Sequence, residues 1–592
     1  MQFSQLAQYL QRLEETTKRL EITSILADLI KEVDTNEIAN TLYLSLGYLK
    51  AEFESERFNI AEKMMYRILA ASYGETEEKI KELYSRQGDL GTVAFDINPN
   101  KQILDADVNY IHEILMEIAQ TEGTGSQDKK IQLASELLGN TSKLSSKYLV
   151  RIILGTTRLG FTELTVVDAL AQFVNGGEKA PKELKKQIES KYRIHPDIGR
   201  IAERIKAKGL DGLSEVDMEV GVPVHAQMAS RLDNPVEIIE KMNEVWVEYK
   251  FDGTRTQLHM DKDKKMEVAS FEQQGMFDVQ KEMTFIKTFT RNLEETTHQF
   301  PDIIAAANQH LDAKSVILDG EAIGYNKDTG EFLPFQETIQ RKRKHGITQA
   351  AKDIPLKYMV FDLIYLDGKS LVDTPFVKRR EMLKKIVKPN DVIQIDTNIQ
   401  TTNPEELATW HKEAMDKGLE GVMIKQVDSP YEAGARNFKW VKLKKLEEQI
   451  LNDTVECVIL GYYHGRGARS KFGIGGFLVG LWDEKDGEFK TITKVGSGLT
   501  DEGWHNLKKR CDLLAIPNKA AGTDIGSKYD CDVWTKPEIV VEIAADELSK
   551  SSEHSAGYAL RFPRMIKYRD DKKPKQTTTI KEIKQMYEAQ TK

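Results

Sequence analysis

Hydrophobic positions change their period along the chain and divide it into three regions. In the first, apolar residues recur every three or four positions. Phe3, Leu6, Tyr9, Leu10 and Leu13 form one stripe, and Tyr148 and Ile152 with their apolar neighbours form another. This spacing predicts helices over the first 210 residues, with the polar, glycine-containing "TEGTGSQDKK" (121–130) as a loop between helical groups. Near Gly221 the period shortens. Up to about Lys444 come the β-rich runs "SVILDGEAIGY", "LKYMVFDLIYLDG", "EGVMIK" and "FKWVKLK", with helical stretches such as "FVKRREMLKKIV" between them. That mixture predicts an α+β domain. From 446 onward, short strands alternate with Gly-rich turns in "VECVILGYYHGRG", "GIGGFLVGLW" and "FKTITKVGSG", the pattern of a small closed β-barrel. The resulting boundaries are 1–215, 216–445 and 446–592. The last 20 residues, rich in Lys and Thr, are expected to fray. No internal repeat is present.

Alternation inside the strands separates faces. In "VWVEYKFDGTR" (245–255), Val245, Val247 and Tyr249 fall on one face and Trp246, Glu248 and Lys250 on the other. A carboxylate and an amine therefore stand side by side, next to a turn closed by Asp252-Gly253. A hairpin with an ordinary surface Glu–Lys pair explains this as well as a nucleophilic lysine does, because K-x-D-G alone is a weak motif. In "WVKLK", Trp440, Lys442 and Lys444 share a face opposite Val441 and Leu443, and two lysines there could line a phosphate pocket. In "ILDGE", Asp319 and Glu321 share a face, a plausible hard-cation site. "EGVMIK" places Glu420 at a strand start and ends with Lys425. Sheet edges carry such charges routinely, so each feature taken singly is more often structural.

Composition narrows the classes. At 592 residues the chain is too long for one core. It has no run of about 18 apolar residues, and "MQFSQLAQYLQRLEE" is polar-amphipathic, so neither a membrane span nor a secretory signal is expected. Cys457, Cys511 and Cys531 form no CxxC pair, which points to a reduced intracellular (cytoplasmic or nucleoid) location and away from zinc. The net charge of −9 argues against a nucleic-acid partner only weakly, since local patches decide binding. Basic clusters occur at "RKRK" (341–344), "KLKK" (442–445) and Arg561, Arg564, Lys567 and Arg569.

Taken together and in order, the motifs resemble one family. Lys250-x-Asp252-Gly253, "FTRNLEE" (289–295), "LDGE" (318–321), "YMVFDLIYLDG" (358–368), "EGVMIK" (420–425) and "WVKLK" (440–444) resemble the nucleotidyltransferase motifs of ATP-dependent DNA ligases. "LRFPRMIKYRDDK" (560–572) resembles the final motif of that family, and "KYLVRIILGTTRLGFTELTVVDALA" (147–171) its archaeal and eukaryotic replicative DNA-binding domain. The resemblance covers nearly the whole chain. It implies a helical DNA-binding domain, an adenylation domain and a C-terminal OB-fold barrel, with ATP and Mg²⁺ as cofactors. It further implies nicked duplex DNA as partner and a monomer that acts in replication, repair and recombination.

The implied chemistry explains the residue types. A lysine amine attacks the α-phosphate of ATP and expels pyrophosphate; AMP then passes to the 5′-phosphate at the nick, and the 3′-hydroxyl displaces it. Being neutral at pH 7 costs a lysine about 4.6 kcal/mol, a cost that crowding by Lys442, Lys444 and bound Mg²⁺ is expected to lower. By the resemblance, Lys250 is the adenylated nucleophile, Glu248 reads the adenine amino group and Phe361 stacks on the base. Arg255 and Glu321 hold the ribose side; Arg291, Arg436 and Lys442 serve ribose and phosphates, where Lys444 joins them. Glu420, with Glu321, coordinates Mg²⁺. Arg561, Arg564 and Arg569 orient pyrophosphate from the barrel. Asp252 tunes or orients Lys250, or assists the 3′-hydroxyl.

The sequence also departs from the family. "MEVASFEQQGMFDVQKEMT" (266–284) reads as an insertion of about 20 residues between two strands. Thr254 stands where an acidic residue is common, and Lys567 where an arginine is. "KQILDADVNYI" (101–111) is a degenerate version of a clamp-binding peptide, the sole ground for naming a sliding clamp as partner. Alternative readings are an RNA ligase or capping enzyme, disfavoured by the helical third and "RFPR", and a nick-binding protein without catalysis, disfavoured by the intact lysines and Glu420. An NAD-dependent ligase is disfavoured by the absence of a four-cysteine module.

Overall fold

The computed structural model describes all residues except 55, 100–103, 270–279, 342–346, 445–453, 466–468, 470–471, 527 and 591–592. Contacts group the chain into two compact units, Met1–Thr157 with Phe161–Lys445, and Leu446–Lys592 with Arg158–Gly160. The helical and mixed parts thus fall in one unit, although their secondary structure changes as expected.

Among the described residues, twelve α-helices run from Phe3–Glu14 to Ile198–Lys208. The first buries Phe3, Leu6, Ala7, Leu10 and Leu13, while Tyr9 sits half-buried at the edge of the stripe and donates its hydroxyl to Glu32 at 2.5 Å. The expected loop over 121–130 is shorter than its composition suggests. Gly123 and Gly125 take the left-handed conformation, and helix Ser126–Gly139 begins at once, so "SQDKK" is its first turn, exposed at Gln127, Asp128 and Lys129 but buried at Lys130, whose amine donates to the Phe58 and Ala119 carbonyls.

The mixed part contains β1 (Met228–Arg231), β2 (Val245–Lys250), β3 (Thr254–Ala269), β4 (Gln280–Thr290), β5 (Ser315–Gly324), β6 (Leu356–Leu366), β7 (Lys369–Ser370), β8 (Ile393–Ile395), β9 (Asn398–Thr401), β10 (Gly421–Gln426) and β11 (Arg436–Lys444). One sheet runs β1-β11-β10-β2-β9. The other runs β4-β3-β5-β6-β7, with β8 also paired to β6. Val245, Val247 and Tyr249 pack with Val422, Ile424, Val441 and Leu443 in the core of the first sheet.

Asp252-Gly253 does not close a hairpin. β2 pairs with β10 and β9, whereas β3 pairs with β4 and β5, so this turn carries the chain from one sheet into the other. Gly253 is required there because a Cβ would stand 2.5 Å from the Ala322 carbonyl oxygen. Gly421, opposite Lys250, is also required: its φ is +139°, and a Cβ would meet the Leu443 carbonyl oxygen at 2.2 Å.

The expected insertion is partly strand. Pairing of β3 with β4 continues outward to Ala269 and Gln280, because the alternation of the sequence extends past the usual hairpin; the tip, 270–279, lies outside the described residues. Of "RKRK", Arg341 is buried against Asp302 and is no part of a basic surface; 342–344 lie outside the described residues, as does Lys445 of "KLKK".

The second unit contains β12 (Val455–Tyr463), β13 (Gly476–Asp483), β14 (Glu488–Val495), β15 (Ala515–Ile516), β16 (Thr523–Asp524), β17 (Val533–Thr535), β18 (Val540–Ala544), β19 (Glu547–Lys550), β20 (Tyr558–Arg561) and β21 (Arg564–Tyr568). The main path is β15-β17-β12-β13-β14-β16, with β18 joining β12 to β21, and β19 pairs with β20. Among the described residues these pairings leave the path open, so the expected closed ring is not formed by them. The core is apolar, with Phe477, Val479, Trp504, Val541 and Met565 at its centre. The described part of the tail is ordered where fraying is expected. Ile580–Gln590 is a helix whose Ile583 is fully buried in that core, an amphipathic stripe hidden by the Lys-rich composition around it.

Candidate active site

Three neighbouring strands set the geometry. Across β10, Gly421 pairs with Lys250 on one side and Lys444 on the other, so two amines stand abreast at the same end of the sheet. Glu420, the residue before β10, lies between them, and its carboxylate accepts from both Lys250 and Lys444. Burial alone would raise the Glu420 carboxyl, yet the two lysines hold it below its usual range. The Lys442 amine is lowered, by burial first and then by Lys444 and Lys250. These groups line a cavity of about 670 Å³, which also takes in Glu248, Arg255, Arg291, Glu321, Phe361 and Arg436.

Glu248 is 2% exposed, and its partner is not Lys250. Cross-strand register puts Lys425 opposite Trp246, and its amine reaches one Glu248 oxygen. The same amine donates to the Phe361 carbonyl at 3.2 Å and lies 4.3 to 4.8 Å from the ring centroids of Trp440, Phe361 and Phe376. The other Glu248 oxygen, Oε2, is buried and has no hydrogen-bond partner among the described residues; Arg380 Nη2 stands 4.0 Å from it. A buried acceptor in this state is costly unless a ligand supplies the donor. Its presence beside an aromatic ring fits the amino edge of a base. Lys425 is therefore a site residue for which sequence reasoning named no role. Its signal is the register that sets it among three aromatic rings.

The paired carboxylates of β5 part company. Arg255 stands opposite Glu321, and diagonal to it Asp319 takes the guanidinium through two bonds, at 3.0 and 2.6 Å. Tyr431 donates to the same carboxylate at 2.8 Å. Asp319 is thus consumed as a structural partner, and the expected Asp319–Glu321 cation site is not made. Arg255 gives its remaining nitrogen to the Gln227 carbonyl at 2.6 Å, so it braces the wall with every nitrogen engaged. Glu321 remains in the wall, where burial pushes its carboxyl up to about 7 in spite of Lys250 and Arg255.

Arg291 follows β4 and Arg436 opens β11. Both rest on the Met228 sulfur, at 3.3 and 3.7 Å. Burial and the like charges of Arg255 and Arg436 lower the Arg291 guanidinium, as expected for cations gathered where an anion would bind. Asp252 accepts the Phe335 N–H at 3.4 Å, and no hydrogen bond joins it to Lys250 among the described residues. Neither do the described residues contain a group of three or more His, Cys, Asp or Glu able to hold a metal. Glu248, Glu294, Glu321 and Glu420 line the cavity, and the pair expected to take a cation, Glu420 and Glu321, is among them. That pair suits Mg²⁺, which takes one or two carboxylates and completes its shell with water and phosphate.

In the second unit, Arg561 pairs with Glu547 at 3.1 Å, Arg564 with Asp546 at 2.7 Å, and Arg569 with Glu456 and with Asp571, the latter at 2.7 Å. Each is held by carboxylates of its own unit. Phe562 between them is 65% exposed, with φ at +50°. Of "KQILDADVNYI", 101–103 lie outside the described residues, and Val108 and Ile111 are buried on helix Val108–Gln120.

Comparison with known proteins shows what the chain is similar to. Residues 2–171 match the family model described as DNA ligase N terminus, 275–444 the ATP dependent DNA ligase domain, and 470–572 the ATP dependent DNA ligase C terminal region. A probable DNA ligase of Dictyoglomus turgidum is 38% identical over all of this chain and 98% of its own length. DNA ligase 2 of Thermofilum pendens is 36% identical and the DNA ligase of Saccharolobus solfataricus 34%, with the same shares covered. A solved structure entitled Pmar-Lig_PreS3 matches 95% of this chain and 99% of its own at a TM-score of 0.52 and 16% identity, a likeness of fold.

Proposed function

Because the chain belongs to the ATP-dependent DNA ligases, enzymes that seal nicks through an adenylate intermediate, we propose that Lys250 is the amine that carries AMP. One observation supports this best. The cavity-facing side of β2 presents an amine and, two residues away, a buried carboxylate oxygen that lacks a donor. In this reading Glu248 Oε2 accepts from the adenine amino group while Phe361 packs against the base. The Lys250 nitrogen parts from Glu420, loses a proton and attacks the α-phosphorus. Lys442, Lys444, Arg291 and Arg436 hold the phosphates and the ribose side. Arg255 keeps the ribose wall in shape through Asp319. Mg²⁺ on Glu420 and Glu321 would offset charge on the α-phosphate. The arginines of 561–569 exchange their carboxylates for pyrophosphate oxygens, and Asp252 assists the 3′-hydroxyl step.

The domains are 1–215 for DNA binding, 216–445 for adenylation and 446–592 for the barrel-like C-terminal part. The enzyme works as a monomer inside the cell on replication, repair and recombination nicks. A clamp partner rests only on "KQILDADVNYI". Among the described residues, no helix is long and apolar enough to cross a membrane.

A nicked duplex offered with ATP, ADP, GTP or NAD in parallel should be sealed with ATP and not with NAD; equal sealing with NAD overturns the reading. Glu248→Gln keeps an acceptor for Lys425 but presents an amide to the base. It should raise the KM for ATP in self-adenylation about tenfold, the worth of one hydrogen bond to a charged group, and an unchanged KM removes Glu248 from base recognition. DNA affinity should fall steeply with salt, by a log–log slope of about −0.9 per phosphate contacted, with little sequence preference. A titration without slope contradicts the proposed grip of the helical domain on the backbone.

A further inference from the structure

We propose that Asp396 is a positioning residue for adenylate formation, holding the β2 backbone between the base-reading carboxylate and the nucleophilic amine. The inference rests on the roles given above to Glu248 and Lys250.

The two edges of β2 are supported unequally. β10 accompanies it over its full length, from Val245 to Lys250. β9 pairs only as far as Glu248, opposite Asn398, and there the ladder ends. The next residue, Tyr249, is the single link between Glu248 and Lys250. Asp396, just before β9 and 8% exposed, supplies the missing acceptor: its Oδ2 takes the Tyr249 N–H at 2.9 Å, while Oδ1 takes the Thr397 N–H at 2.8 Å. The Asp396 backbone carbonyl accepts from Arg380 Nη2 at 3.3 Å, the nitrogen that stands 4.0 Å from the unpartnered Glu248 oxygen. Arg380 Nη1 donates to the Val360 carbonyl at 3.0 Å, next to Phe361. One carboxylate and one guanidinium thus register the strand of the nucleophile, the base-reading oxygen and the aromatic wall against each other.

Three charged groups act on Asp396: Glu248 on β2, Arg380 on helix Phe376–Ile386, and Lys417, whose amine meets the Tyr249 hydroxyl; Lys425 on β10 pairs in turn with Glu248. Burial, then the Glu248 charge, push the Asp396 carboxyl up to about 7, against Arg380 and the two backbone N–H donors. The carboxyl is therefore neutral below that pH and ionised above it. The ionised form accepts the stronger, charge-assisted bond from Tyr249, so the strand is best held on the alkaline side.

The test is the initial rate of protein labelling from α-labelled ATP, from about pH 5.5 to 8.5, for the full-length wild type, Asp396→Asn and Asp396→Ala, each with its melting temperature. Dividing wild type by Asp396→Asn cancels the titration of groups that do not interact with Asp396. That ratio should be near one below about pH 6 and rise to about fivefold by pH 8, with its midpoint near 7. Asp396→Ala, which leaves the Tyr249 N–H buried and unpaired, should label about tenfold more slowly across the range. A ratio independent of pH, or Asp396→Ala labelling at the wild-type rate, overturns the proposal. If the alanine variant does not fold, the asparagine ratio decides alone. Lys250→Ala is run beside them: label on that variant defeats the parent reading, whereas a flat ratio with Lys250→Ala silent defeats the role of Asp396 only.

Discussion

Lys250→Ala, incubated with α-labelled ATP and Mg²⁺, should carry no label, and nick sealing should fall on the order of 10⁵-fold or more, as when other covalent nucleophiles are removed. In the proposed reaction this residue forms the bond itself. Its nitrogen lone pair makes the N–P bond, the bond from the α-phosphorus to pyrophosphate breaks, and a proton leaves the nitrogen. Lys442 and Lys444 cannot substitute. They lie on β11, and between their strand and Lys250 runs β10, with Glu420 holding Lys444. Lys250→Arg sharpens the test, since arginine keeps the positive charge that pairs with Glu420 but cannot give up its proton. Both variants should be silent while nicked duplex still binds. Label on either at the wild-type rate would sink the assignment of the nucleophile.

The second large effect is on stability. Asp362→Ala should lower the stability of its compact unit by about 3–5 kcal/mol, the range for uncovering a buried charge, against a total of about 5–15 kcal/mol for a typical domain. Asp362 on β6 and Arg379 on helix Phe376–Ile386 are both 0% exposed and meet through two bonds, at 2.8 and 2.9 Å. Arg379 also donates to the Thr374 and Ser429 carbonyls, so it cannot swing out to water without opening three segments. Removing the carboxylate strands a guanidinium in the core. Asp362→Leu combined with Arg379→Met should recover most of the loss, because apolar groups of similar volume replace such pairs at little cost. Urea unfolding of the three proteins checks this, and an alanine variant within about 0.5 kcal/mol of wild type would contradict it. Phe361 is the neighbour of Asp362, so the destabilised variant should also lose ATP affinity.

Much of the site was legible because alternation on a strand is dictated by which face is buried. Val245, Val247 and Tyr249 had to share the core, and that alone put Glu248 and Lys250 together on the other face. The same logic held for Lys442 and Lys444. What failed involved partners distant in sequence. Asp319 and Glu321 look equivalent along their own strand, but a diagonal arginine and a tyrosine more than a hundred residues later claim the first. Glu248 beside Lys250 reads as a pair until Lys425 takes it from the adjacent strand. Asp252-Gly253 has the chemistry of a hairpin turn, and nothing local distinguishes a turn within a sheet from a passage between sheets. Arg341 sat in a basic run that composition assigns to solvent, yet its partner, Asp302, lies on another helix.

Gly421 carries one more implication. It occupies the middle strand at the level where the two amines stand, with the Leu443 carbonyl where its first side-chain carbon would be. Even alanine would wedge β10 and β11 apart at that level. The spacing of these two positive charges is therefore set by an atom that is missing, and this position should tolerate no other residue even though it has no side chain to offer the cavity.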